Sequence, residues 1–139
     1  MVISLHDVPG TFVSDPITIP KQANAELADF VVFRAPFKCK VTKVLVTTGA
    51  NWAGVNDATN HNRFVLLDVG VGGTATPSGL GTISGSPTGT VLTAYQPGTL
   101  YSGTLSCEAN HELVFRVGTV GTGTTAAPAA ACIVEFIGA

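Results

Sequence analysis

The chain has 139 residues, seven basic and nine acidic side chains, and a formal net charge of −2. Hydrophobic residues make up 45% and charged residues 12%, half the charge of an ordinary soluble domain, which is about 25%. That balance excludes a disordered chain, a heptad coiled coil and a dedicated basic nucleic-acid binder, and the length fits one domain with its own core.

Residues 1–24 differ from the rest. They contain Pro9, Pro16 and Pro20 and isolated apolar residues, among them Val2, Ile3, Leu5, Phe12, Ile17 and Ile19. A basic n-region and a continuous apolar run are missing, so the segment does not read as a secretory leader. It reads as an extended arm, 1–24, ahead of a domain at 25–139. Such an arm can add a strand to a neighbouring subunit's sheet or serve as an ordinary first strand with a loose tip, and the residues leave both open.

Ala, Glu and Leu within Gln22–Asp29 allow one short helix. Asp29 to Arg34 is β-branched and aromatic, and the strand stops at Ala35-Pro36, where proline removes a ladder donor. Lys38 to Thr48 resumes in extended form, but its alternation slips around Lys43, the mark of a bulge or a change of partner. Lys38, Lys40 and Lys43 suggest a soluble sheet edge. The loop from Gly49 to Asn62 carries Trp52, the one tryptophan. Packing or an interface suits Trp52 better than sugar stacking, because the nearest second aromatic is Phe64. The same loop has one carboxylate, Asp57, too few for a calcium loop and ordinary for an Asx-rich turn.

Arg63 to Val69 is apolar on both faces and is expected to be central or buried at an interface. The longest turn-rich stretch runs from Gly70 to Gly89. It has neither the GxGxxG nor the GK[ST] spacing that cradles phosphate. Weak strands follow at Val91–Tyr95 and Thr104–Cys107, as one does earlier at Ile17–Ile19. His111 to Val117 alternates cleanly, as does Ala131 to Ile137, with a Gly/Thr-rich stretch, Gly118–Pro128, between them. Eight or so short strands without amphipathic helices make the chain all-β, an antiparallel β-sandwich or barrel.

Chemistry is sparse. Cys39, Cys107 and Cys132 are odd in number and form no CxxC pair, so they read as small buried hydrophobes in a chain made in a reducing cytoplasm. The histidines are His6, His61 and His111. No GxSxG elbow exists, His111-Glu112 does not extend to HExxH, and His61 lies too far along a strand from Asp68 to share a triad. The expectation is no enzyme, no metal and no cofactor. No segment approaches the roughly 20 apolar residues of a membrane span. So few charges on so large a surface point to assembly with other subunits.

The stretch from Ala28 to Val44, with its V-x-F-x-A-P (Val31 to Pro36) leading into C-x-V-x-x-V (Cys39 to Val44), resembles the opening strand pair of small β-sandwich proteins of tailed-phage virions. These are head decoration, or cement, proteins and fibre-associated proteins. Leu67-Asp68-Val69-Gly70, then Leu105 to Ala109 leading into Asn110 to Arg116, and the last strand, Ala131 to Phe136, extend the likeness over residues 25–139. The resemblance implies a jelly-roll-like sandwich, trimers on a capsid lattice and a shell-stabilising role on the virion exterior. Family members carry no catalytic residues, so none are transferred. The expected partners are further copies of the chain, as a homotrimer, and the major capsid protein, with no nucleic acid or membrane. The expected contact residues are Val2, Ile3, Leu5, Phe12, Ile17, Ile19, Trp52, Phe64 and Leu66. The alternative is a receptor- or glycan-binding head domain of a fibre or spike, using Trp52 and the Asn-rich loop.

Overall fold

The computed structural model describes residues 10–22, 27–52, 59, 61–84, 92–121 and 127–139. Nine strands occur among them: β1 Thr11–Val13, β2 Ile17–Ile19, β3 Ala28–Arg34, β4 Cys39–Thr48, β5 His61–Val71, β6 Ser78–Ser84, β7 Gly98–Cys107, β8 His111–Val120 and β9 Ala130–Gly138. One sheet has the order β1-β9-β4-β7, with β2 also paired to β9, and the other has the order β3-β8-β5-β6. All pairings are antiparallel.

The pairs β1/β2 with β9, β3 with β8, β4 with β7 and β5 with β6 are nested like one long hairpin. Rolling that hairpin brings β4 beside β9 and β5 beside β8, which completes one five-stranded and one four-stranded sheet. This is the jelly-roll arrangement, which protects most strand edges by double-sheet packing.

Alternation places Val41, Val44 and Val46 of β4 and Cys132, Val134 and Phe136 of β9 on one inner face. Phe64 and Leu66 of β5, with Leu113, Phe115 and Val117 of β8, oppose them in a single core. The slip at Lys43 is a bulge: register shifts between Val41 and Lys43 against both β7 and β9. The extra residue returns Val44 to the inner face after Thr42 and Lys43 both face outward. β5 is central in its sheet, between β8 and β6, as its two-sided apolar pattern requires.

Four local expectations are corrected. Gln22 lies in an isolated bridge with Ala127 and β3 begins at Ala28, so the two ends of the expected helix are extended; residues 23–26 lie outside the described residues. Lys40 and Lys43 stand on β4, an inner strand, and keep an outer face wet instead of an edge. Leu92 makes one bridge, to Trp52, and Ala94–Tyr95 forms a turn, so there is no continuous strand there; Val91 lies outside the described residues. The glycine-rich stretch after Gly70 contains a full strand, β6.

The described half of the expected arm is a split edge strand of this same sandwich. Thr11–Val13 and Ile17–Ile19 both pair with β9, and Pro16 sits in the break between them. Ser14 Oγ spans that break by accepting a hydrogen bond from the Val134 amide at 2.9 Å.

Candidate functional site

At one end of the first sheet, Thr18, Thr47, Thr48, Gly49 and Ala129–Ala131 line an open groove of about 270 Å³. Register explains its floor: Ala131 is paired with both Thr18 and Thr47, so three neighbouring strands present small side chains on the outer face, while the next pair, Ala130 and Thr48, turns inward. Tyr95 forms one wall. Its turn is closed by the Gln96 amide donating to the Thr93 carbonyl at 3.1 Å. The Tyr95 amide donates to the Thr48 carbonyl at 2.9 Å, and the Ala94 amide to Asn51 Oδ1 at 2.8 Å. Those bonds hold Tyr95 at a φ of 64°, a left-handed pose that a bulky aromatic residue rarely adopts, with the side chain 80% exposed. The lining carries no charged side chain and is mostly methyl and methylene surface. The buried Thr48 Oγ1 has no hydrogen-bond partner.

A second, smaller apolar cluster lies on the outer face of the other sheet, buried except at Val31. Val31, Val114 and Leu67 are consecutive cross-strand partners on β3, β8 and β5, and Val65 and Val69 flank Leu67 on its own face. Two ion pairs frame the stripe. Arg116 donates twice to the Asp29 carboxylate, at 2.7 and 2.8 Å, and Arg34 lies 3.8 Å from Glu112. The Arg116 hydrogen bonds hold the Asp29 carboxyl below its ordinary pKa, against a smaller opposing effect of burial.

Polar chemistry gathers at one place. His111 Nε2 donates to Asp68 Oδ1 at 2.6 Å, and the same oxygen accepts the Gly70 amide at 3.0 Å across a bulge in β5. Cys107 lies close enough to feel the Asp68 charge, but burial, first, and then the neighbouring Cys39 and Asp68 push its thiol up to about 12. That direction deactivates a nucleophile, since the thiolate is the reactive form. Among the described residues, no three His, Cys, Asp or Glu side chains converge as metal ligands.

Of the residues expected at contacts, Ile19, Phe64 and Leu66 are fully buried and Trp52 is 3% exposed; all four belong to the core. Trp52 stacks on Phe64 with ring centroids 4.4 Å apart, which removes it as an exposed sugar platform. Phe12 is half-buried, stacked on Phe136 at 5.4 Å with Phe37 edge-on at 5.8 Å, and Ile17 packs beside the core. Val2, Ile3 and Leu5 lie outside the described residues. Tyr95, the most exposed large apolar side chain among them, was missed, although Gln96-Pro97-Gly98 behind it is a turn signal.

No protein-family model matches the chain, and no curated protein sequence matches it. Similar solved structures include that of infectious bursal disease virus Gt strain, at 12% identity and a TM-score of 0.41, covering 95% of this chain. That of the Gx strain of the same virus gives 13% identity, a TM-score of 0.40 and the same 95% coverage. The chain spans 34% of the length of each. At this identity and overlap, neither likeness assigns a function.

Proposed function

We propose that the protein is a non-enzymatic virion structural protein that decorates and stabilises a phage capsid from outside as a homotrimer. The observation that carries this reading is Tyr95, held in a costly backbone pose so that its ring stands exposed beside a groove without charge. Exposed tyrosines next to small apolar hollows are typical anchors of protein interfaces, where burial of one aromatic ring supplies a large share of the affinity. The viral setting is supported by the resemblance of residues 25–139 to cement proteins and by the jelly roll which that resemblance implies. Multivalent attachment through a trimer turns modest contacts with the major capsid protein into tight binding. The polar pair Asp68–His111 does not favour an enzyme, because the thiol nearest to it is suppressed.

The test has two parts. Light scattering of the purified chain at micromolar concentration is expected to return three times 14.2 kDa. Sedimentation with empty shells of the major capsid protein encoded in the same genome is expected to carry the chain into the pellet. A monomer that stays in the supernatant overturns the reading.

A further inference from the structure

We infer that Cys39 and Cys107 form a site for a cross-strand disulfide, closed when the protein meets a low-molecular-weight disulfide oxidant. Cys39 opens β4, Cys107 ends β7, and the two are direct partners in the antiparallel register. Both side chains are buried on the same inner face. Directly opposed residues in such a pair have Cα atoms about 4.5–5.5 Å apart, inside the span of roughly 4.4–6.8 Å that a disulfide bridges. Nothing in the linear spacing of three cysteines reveals this meeting; the β4–β7 pairing creates it.

The third thiol is a built-in control. Cys132 on β9 is paired with Val46, seven positions along β4 from Cys39. At about 3.3 Å per residue it lies roughly 20 Å from the pair, out of reach of either thiol.

With glutathione disulfide as oxidant, the small thiolate fraction of one of the two cysteines attacks one sulfur of the reagent. A mixed disulfide forms and one glutathione thiolate leaves. The partner cysteine's thiolate then attacks the protein sulfur of that mixed disulfide and expels the second glutathione. Two protein thiols become one S–S bond, the reagent is reduced to two glutathione thiols, and those thiols take up the two protons. Burial raises both thiols, so the reaction is slow while the fold is closed. The site therefore stays reduced in a reducing cytoplasm and closes after prolonged exposure to an oxidising medium. None of this depends on the capsid reading.

The experiment uses the full chain, incubated with glutathione disulfide at pH 8 with and without sub-denaturing urea. The protein is then denatured and capped with N-ethylmaleimide, and its intact mass is measured. The expected product is about 2 Da lighter before capping, takes one maleimide in place of three, and yields a Cys39–Cys107 linked peptide. Its melting temperature should rise by about 10 °C, as for closure of a long loop. Cys107→Ser and Cys39→Ser should each lose the 2 Da change, and Cys132→Ser should keep it. Three cappable thiols in both arms, a persistent mixed disulfide, or a bond to Cys132 overturns the proposal.

Discussion

Gly81 shows how one residue decides where two sheets meet. A Cβ built on it would stand 2.0 Å from the Leu100 carbonyl oxygen, which is backbone and cannot swing aside. The β6 and β7 backbones close the sandwich along this side, and glycine is the residue that lets them touch. Gly79, two positions earlier on the same strand, has open space where its Cβ would be. Gly81→Ala should therefore lower the free energy of unfolding by about 3 kcal/mol or more, at the upper end of overpacking costs. Gly79→Ala should be neutral or gain up to about 0.5 kcal/mol through a stiffer unfolded chain. Urea unfolding of the two variants side by side is the measurement, and equal effects would show that the contact is not tight. Nothing in the sequence distinguishes these glycines, because the clash lies on a strand 19 positions away. The same is true of Trp52: its burial depends on a bridge to Leu92 and a stack on Phe64, both non-local.

Strands were legible where burial imposes a period. β8 and β9 alternate along nearly their whole length and sit where the alternation puts them; β5, apolar on both faces, is central with an apolar stripe outside it. The slip at Lys43 became a bulge because one extra residue is the only way to keep Val41 and Val44 both inward. β6 was not legible. Its Ser78-Gly79-Leu80-Gly81-Thr82-Ile83-Ser84 has one fully inward side chain, Ile83, and it takes its place from β5 and from contact with β7. Pairing of edge strand β3 to β8 relies in part on Asp29 and Arg116. Because Asp29 is depressed in the folded state, its contribution is complete above the ordinary carboxylate value of 3.8 and disappears as pH falls through the lower folded value. Both side chains are 40–49% exposed, so the contribution is under about 1 kcal/mol. Urea midpoints measured from pH 6 to pH 2 should fall more steeply for the native chain than for Asp29→Asn, and the two curves should converge at the acid end. Parallel curves would mean that the pair adds nothing to folding.

At the scale of the whole molecule, the described fold exposes Val13, Leu27, Val31, Val71 and Tyr95 on a surface of 7050 Å² that holds few charges. Under the proposed trimer, Tyr95 is where the needs of the fold and of assembly part. A left-handed pose costs a residue with a Cβ about 1–2 kcal/mol, and asparagine tolerates it better than tyrosine. Its ring, 80% exposed, gives little back in packing within the subunit. Tyr95→Asn keeps the amide that donates to the Thr48 carbonyl while removing the ring. In dilute solution, below the association range, this variant should unfold at the same urea concentration as the native chain or a higher one, by up to about 1 kcal/mol. Its self-association should weaken by tenfold or more, as expected when an aromatic anchor is lost. Sedimentation velocity across a concentration series reads the second effect, and denaturation at fixed low concentration reads the first. A less stable subunit with unchanged association would place Tyr95 among the residues that hold the turn together. Opposite signs in the two measurements would mean that the backbone pose is maintained for contact with another chain.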